Sequence, residues 1–400
     1  MKFRVERDVL ADAVAWTARA LPIRPSAPVL AGLLIEAGTT RDPDSDAPSE
    51  GLQLSTFDYE TSARATLDAE VSEEGKALVS GRLLADICRS LPNRPVEVSV
   101  EGPKVTLICG SARFSLQTMP VEDYPTLPVM PQTRGTVPST TFASAVAQAV
   151  TAAGRDDMLP VLTGVRLELD GDSISMLATD RFRLSQRELS WSPSALDIDT
   201  AALVPAKVLA DTAKALTGGT EISIALSLPG SGGGGEGIIG FEGSVGGGVD
   251  GGSGGTRRTT TRLLDGDFPK VRSLFPSEHL TVARVDKASL VDSVKRVALV
   301  AERNTAVQLA FSDGVLTLDA GSGEEAMASE SIEAHVTGED ITTGFNPAYL
   351  LDGLTAIEAP FVELAFTQAS KPVVLSGVGS LEGDADTAFR YLLMPRRLLS

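Results

Sequence analysis

The sequence predicts an α+β protein in which one small unit is written three times in tandem. A hexapeptide pattern recurs first: Pro28-Val29-Leu30-Ala31-Gly32-Leu33 returns 132 residues later as Pro160-Val161-Leu162-Thr163-Gly164-Val165. The same offset lays Leu10, in Val9-Leu10-Ala11-Asp12-Ala13-Val14, on Phe142, in Thr141-Phe142-Ala143-Ser144-Ala145-Val146. A second pair, Val79-Ser80-Gly81-Arg82-Leu83-Leu84-Ala85-Asp86 and Val204-Pro205-Ala206-Lys207-Val208-Leu209-Ala210-Asp211, agrees at an offset of 125, as if the loops between had changed length. Separate segments that share one spacing mark a repeat architecture.

Each copy reads helix, several strands, helix, more strands. In the first helix Leu10, Ala13, Val14, Thr17 and Leu21 fall on one narrow apolar stripe, with Asp8 expected as N-cap and Arg19 pointing away. Short apolar or alternating runs, 96–100 and 105–109 in the first copy, 222–228 in the second and 315–318 in the third, read as strands. The second helix of the first copy turns Leu84, Ile87, Cys88 and Leu91 inward and Arg82 and Arg89 outward. Its counterpart turns Leu209, Thr212, Ala213 and Leu216 inward, with Lys207 and Lys214 in the two basic places. The third copy is fainter. Leu290-Val291-Asp292-Ser293-Val294 stands for its first helix and Phe345-Asn346-Pro347-Ala348-Tyr349-Leu350-Leu351-Asp352 for its second. Ala348 and Thr355 fill its basic places, and Lys295 and Arg296 flank the stripe of the preceding helix instead. Pro-rich joints at 125–138 and 269–276 divide the copies into 1–130, 131–270 and 271–400. Residues 230–255 are dominated by glycine around Gly237-Ile238-Ile239-Gly240-Phe241, expected as one strand between two flexible loops, with 257–264 returning.

Composition bounds the function. A net charge of −18 suits a soluble chain and on its own argues against nucleic acid, because such a field repels phosphates. The positions of the basic residues argue the other way. Basic pairs recur on matched exposed helix faces, a pattern that could line a surface with spaced positive charge and touch phosphates without reading bases. No apolar leader and no run of membrane-spanning length occurs, which predicts a cytoplasmic protein with no membrane partner. Cys88 and Cys109 form no C-x-x-C pair, so neither a disulfide framework nor a zinc site is expected. The two histidines, His279 and His335, lack metal-ligand spacing, and no phosphate-binding loop is found. Gly251-Gly252-Ser253-Gly254-Gly255 matches G-x-S-x-G only formally, since a glycine tract supplies no helix for the elbow. Asp58 and Asp180 sit in matched strand-end turns, which favours a structural role over acid–base chemistry. No catalytic residue, metal or cofactor is expected.

These segments resemble the bacterial DNA sliding clamp family, the β subunit of DNA polymerase III. The most specific stretches are Met1-Lys2-Phe3-Arg4-Val5-Glu6-Arg7, Arg24-Pro25 with Pro28-Val29-Leu30, Asp86-Ile87-Cys88-Arg89-Ser90-Leu91-Pro92, Arg113-Phe114-Ser115-Leu116, Ala178-Thr179-Asp180 with Arg183-Leu184, and Tyr391-Leu392-Leu393-Met394-Pro395. The resemblance implies three clamp-type domains and a head-to-tail homodimeric ring of six, with helices inside and sheets outside. It implies a non-catalytic processivity factor that encircles double-stranded DNA regardless of sequence. Its partners would be the polymerase III α subunit, the clamp loader and repair proteins, each bound through a linear peptide motif. On the DNA side the resemblance places Arg24, Arg82, Arg89, Lys207, Lys295 and Arg296, while helix geometry adds Arg19 and Lys214. Phe114 and Leu116 match an interface strand, and Leu290 matches the partner position. A peptide groove maps to Leu162, Thr179, Arg181, Phe182, Arg183, Leu184, Pro269, Leu274, Tyr349, Leu392, Met394, Pro395, Arg396 and Arg397.

The chain departs from the family in that groove. Many members carry Gly-His where Arg181-Phe182 stands, and a small apolar residue where Arg396 stands. Such changes predict a narrowed or recharged groove. They leave open an alternative to the main clamp: a specialised paralogue with altered peptide or inhibitor affinity, such as one that escapes a groove-binding antibiotic.

Overall fold

The structure, a computed structural model, describes residues 1–40, 49–229, 237–245, 255–301, 305–321 and 326–396. Six α-helices occur among them, two in each copy of the repeat: α1 Arg7–Thr17, α2 Gly81–Ser90, α3 Ser139–Val150, α4 Ala206–Ala215, α5 Lys287–Val297 and α6 Pro347–Ala356. The inward stripes are where the periodicity places them. Leu84, Ile87, Cys88 and Leu91 are buried on one side of α2, and Leu209, Thr212, Ala213 and Leu216 are buried along α4. Arg82, Arg89, Lys207 and Lys214 are exposed.

Two local expectations need correction. Asp8 lies inside the first turn of α1, where it receives a hydrogen bond from Arg7 at 2.6 Å; the N-cap is Glu6, which makes no side-chain capping bond. The helix ends at Thr17, whose hydroxyl donates back to the Ala13 carbonyl (2.7 Å), and the chain continues as a 3-10 turn over Ala18–Ala20. Leu21 is nonetheless buried.

The chain divides into two compact units. The first comprises Met1–Ala143, Trp191–Leu196 and Val208–Leu263. It contains one 14-stranded antiparallel sheet. Within it, strand Thr256–Arg262 of the middle repeat pairs with strand Thr61–Leu67 of the first. That seam has few apolar side chains to pack. Hydroxyl pairs hold it instead, Ser62 with Thr260 at 2.6 Å and Thr61 with Thr261 at 3.1 Å. Strand Ile238–Ser244 and its return Thr256–Arg262 form the expected hairpin. The glycine-rich segments at 230–236 and 246–254, with the Ser253 pattern, lie outside the described residues.

The second unit comprises Ser144–Ser190, Asp197–Lys207 and Leu264–Ser400. It holds a nine-stranded and a four-stranded antiparallel sheet. In the larger one, strand Arg183–Ser190 of the middle repeat pairs with the last strand, Ala385–Leu393, so that Leu184 faces Leu392 and Arg183 faces Leu393. A small apolar core under this seam joins Leu177, Leu184, Leu203, Phe268, Val271 and Leu392. Burial of this kind contributes about 25 cal/mol per Å² of apolar surface, which fixes the seam before any ligand arrives. The four-stranded sheet, led by edge strand Ala328–Glu333, packs on α5 and α6.

Candidate functional site

Eight of the expected groove residues, Thr179, Arg181, Phe182, Arg183, Leu184, Tyr349, Leu392 and Met394, meet at the seam of the second unit, around the turn that links strand Ser173–Thr179 to strand Arg183–Ser190. Asp180 organises this turn. Its Oδ1 accepts from the N–H groups of Phe182 and Arg183, both at 3.0 Å, and its own N–H reaches the Arg183 carbonyl. Thr179 Oγ1 donates to the Arg183 carbonyl (2.7 Å) and accepts from the Arg181 N–H (3.2 Å). Arg181 takes a positive φ of 79°. The first repeat builds the same turn: Asp58 Oδ1 accepts from Glu60 and Thr61 at 3.0 and 2.7 Å, and Tyr59 has φ 76°. The structural role expected of both aspartates is what the hydrogen bonds show.

Arg183 is buried, with 4% of its side chain exposed, and its charge is met twice. Nε contacts Asp180 at 2.9 Å and Nη1 contacts Asp352 of α6 at 2.6 Å. Its guanidinium lies 4.3 Å from the Tyr349 ring. The phenol of Tyr391, pushed well above its ordinary range chiefly by burial, donates to the Tyr349 carbonyl at 2.8 Å. A methyl group at Gly353 of α6 would collide with the Tyr391 ring, which explains a glycine in mid-helix. Asn346 caps α6 through the N–H groups of Ala348 and Tyr349. Phe182 stacks on Tyr349 with ring centroids 6.3 Å apart, and the Phe182 carbonyl accepts from the Met394 N–H at 2.9 Å.

The named groove residues therefore fall into two groups. Phe182, Leu274 and Met394 are exposed at 54, 53 and 40%; Pro269 and Arg181 are also exposed, and Leu162, Tyr349, Pro395 and Arg396 are half-buried. Thr179, Arg183, Leu184 and Leu392 lie in the interior. Arg396 extends the seam, its N–H donating to the Gly344 carbonyl. Arg397 lies outside the described residues. Asp352, Gly353 and Tyr391 were not singled out as site residues from the sequence. Gly353 in a helical run was the one available signal.

Among the basic candidates, Arg19, Arg24, Arg82, Arg89, Lys207, Lys214, Lys295 and Arg296 are all exposed. They are not equally available. Arg296 is held by both oxygens of Glu330 on the edge strand Ala328–Glu333, and Ser293 donates to the same carboxylate. Lys295 makes no ion pair among the described residues. Arg82 donates to the Pro22 carbonyl at 2.9 Å, and Arg89 stands 3.4 Å from Asp86. Two residues expected at an interface prove to be core: Leu116 is 3% and Leu290 0% exposed, because each points into its own sheet–helix interior. Phe114 is half-buried. No group of three or more potential metal ligands occurs among the described residues, and no helix there is long and apolar enough to cross a membrane.

Comparison with known proteins agrees along the whole chain. The DNA polymerase III beta subunit family matches in three parts: its N-terminal domain over residues 1–128, its central domain over 136–270 and its C-terminal domain over 272–397. The chain is 56% identical to the beta sliding clamp of Streptomyces coelicolor, over 100% of both chains. It is 42% identical to the beta sliding clamp homolog GriR of Streptomyces muensis, over 99% of each. The crystal structure of the Bacillus subtilis DNA polymerase sliding clamp shares the fold over 100% of both chains, with a TM-score of 0.84 at 23% identity. On the repeat, the seam and these matches, the chain belongs to the DNA polymerase III beta subunit family, the bacterial DNA sliding clamps.

Proposed function

We propose that two copies of this chain close head to tail into a ring around duplex DNA, and that the seam of the second unit captures short peptides from replication and repair proteins. One observation carries the DNA reading. In a chain of net charge −18, exposed cation pairs recur at matched places on α2 and α4, Arg82 with Arg89 and Lys207 with Lys214. Enclosure makes retention topological, so mild, sequence-blind contacts to phosphates suffice. Arg19 and Arg24 in the first unit and Lys295 in the second are further exposed cations, whereas Arg296 is committed to Glu330. The three repeats, divided at 1–130, 131–270 and 271–400, supply half of the ring.

Two sheet edges support ring closure. Among the described residues, strand Ala112–Met119 is paired along one side, and on the other only at Thr118 and Met119. Strand Ala328–Glu333 is paired, among the described residues, only with Val315–Ala320. Unpaired edges invite another chain. Arg113 on one edge and Glu333 on the other are both exposed and oppositely charged. Phe114 serves the contact directly, while Leu116 and Leu290 shape the cores behind it.

Peptide capture is supported by exposed apolar residues, Phe182, Leu274 and Met394, over a fixed polar frame. The partners fitting this reading are the polymerase α subunit, the clamp loader and repair proteins, in the cytoplasm. The protein acts as a non-catalytic tether. Greater identity to the Streptomyces coelicolor clamp than to the GriR homolog favours the main replicative clamp over a specialised paralogue. Clamp-loader-dependent retention on nicked circular DNA tests the ring. The protein should stay on the circle and run off once it is linearised; equal retention on both forms rules the ring out.

A further inference from the structure

Neighbouring repeats meet in the same way twice within the chain. Buried residues align the first helices: Leu10 and Val14 of α1, Phe142 and Val146 of α3, and Leu290 and Val294 of α5 hold matching places. Trp16, Gln148 and Arg296 therefore share one position. The second helices end at matching residues, Ser90, Ala215 and Ala356. In the first unit a guanidinium joins α1 to the end of α4. Arg257 bonds Asp12, donates to the Ala215 carbonyl at 3.2 Å and lies over the Trp16 ring, 5.2 Å from its centroid. In the second unit Gln148 of α3 donates to the Ala356 carbonyl at the end of α6 at 3.0 Å, and Ser144 donates to Glu358 at 2.6 Å. Each time the first helix of one repeat meets the end of the second helix of the next. Each time the last carbonyl of that helix, left without an intrahelical partner, receives a side-chain N–H.

A fourth repeat would be needed to serve α5 in this way, and a preceding one to serve α2. Both helices show the vacancy. Trp16 and Gln148 are each 6% exposed, whereas 58% of the Arg296 side chain is exposed. Along one face of α2, Leu83 and Ser90 are exposed, whereas the matching Val208 and Ala215 of α4 and Tyr349 and Ala356 of α6 are half-buried. Arg7 donates to the Arg89 carbonyl at 2.9 Å, and among the described residues no group donates to that of Ser90. Arg296 is held ready for the contact. Glu330 accepts from its Nε and Nη2, which fixes the guanidinium and leaves Nη1 without a bond among the described residues.

We infer that a second copy of the chain supplies the missing match: Arg296 Nη1 donates to the Ser90 carbonyl at the end of α2 in that copy, so Arg296 closes the ring and is not a DNA contact. The inference rests on the head-to-tail ring proposed above, and it continues the contact of the two strand edges onto the helices behind them. Sedimentation equilibrium of the full-length protein over a dilution series gives the monomer–dimer dissociation constant. Arg296→Ala should raise it about tenfold or more, since a closed ring carries the contact twice. Arg296→Gln gives α5 the residue that α3 carries and should recover most of the loss. Lys295→Ala and Glu330→Gln should each change the constant by less than about threefold: Lys295 lies beside the position, and loss of the Glu330 pair leaves the contact between copies intact. The role of Arg296 is overturned if Arg296→Ala dimerises like the wild type, if Arg296→Gln is as weak as Arg296→Ala, or if Lys295→Ala or Glu330→Gln weakens the dimer as much. In each of those cases the wild type still dimerises and the ring reading stands. A wild type that stays monomeric at every concentration overturns the ring itself.

Discussion

Arg183 holds the groove from beneath, and its removal is the sharpest test of that frame. In Arg183→Met the chain keeps a long apolar stem but loses contacts to Asp180 at 2.9 Å and Asp352 at 2.6 Å. Asp180 is 13% exposed, so its carboxylate would be left largely buried without a cation. Asp352 is 44% exposed and can turn to water, so its share is small. Breaking a buried pair from one side costs roughly 3–5 kcal/mol. With only one partner well buried, about 3 kcal/mol is expected. Both tryptophans, Trp16 and Trp191, lie in the first unit, so their fluorescence is the wrong probe. Urea unfolding should instead be followed by hydrogen exchange in peptides from 173–190 and 385–396. At an m-value of about 2–3 kcal/mol per molar, the midpoint for these segments should fall by about 1 M. Adding Asp180→Asn should restore part of the loss, because the stranded charge is removed. If Arg183→Met shifts that midpoint by less than about 0.2 M, the guanidinium is not what holds the turn to α6.

Other consequences follow from single contacts. Gly353→Ala should lower the stability of the second unit by about 1–3 kcal/mol, since the added methyl meets the Tyr391 ring; an unchanged urea midpoint would show that the ring gives way freely. Replacing Arg82 and Arg89 by alanine should reduce the slope of log affinity for duplex DNA against log salt by about 1–2, with thermal stability nearly unchanged. Acid should loosen α5. Arg296 and then Ser293 hold the Glu330 carboxyl down at about 2, and the Ser289 hydroxyl and N–H lower that of Asp286. Both folded-state values are depressed, so this stabilisation is whole above about pH 4.5 and drains away as pH falls toward about 2. Hydrogen exchange in 286–297 should accelerate over that window, and Glu330→Gln should flatten the response. Cys88 and Cys109 should resist a thiol reagent in the native protein: both are fully buried, and burial pushes the Cys88 thiol up to about 12.

Much of this was legible in the sequence because one physical rule covers it. The stripes on α2 and α4 follow from a 3.6-residue period, and the same period predicts which cations are exposed. The alternation in 112–119 does separate the two faces of a strand, but it cannot say whether the inner face meets another chain or its own helix. The resemblance sets Leu116 of that strand and Leu290 of α5 at an interface, whereas both side chains are buried within their own chain. The seam between Thr61–Leu67 and Thr256–Arg262 was also hidden, since threonine and serine hydroxyls hold it and no apolar pattern announces it. Arg183 and Asp352 lie 169 residues apart, and nothing local links them.

The matched turns show how a repeat acquires a site without changing its backbone. Asp58 and Asp180 use the same oxygen to accept from the residues two and three ahead, and each places the next residue at positive φ. What differs is the company each turn keeps. In the first repeat Tyr59 packs on Phe57 of its own strand, with ring centroids 5.6 Å apart, and a linker tyrosine, Tyr124, accepts from the Phe57 N–H. That turn also meets the middle repeat, where the Glu60 carbonyl accepts from the Arg262 N–H at 3.0 Å. In the second repeat the last strand and α6 close on the turn, and they supply Met394, Tyr391, Asp352 and Tyr349. Asp352 and Asp180 draw Arg183 inward, which leaves Phe182 to stack on Tyr349 and Arg181 to face outward. Groove chemistry thus arises from the third repeat's side chains meeting a turn the first two repeats share. Substitutions at Asp180 should therefore disturb fold and groove together, whereas those at Arg181 or Phe182 should alter ligand choice while the turn survives.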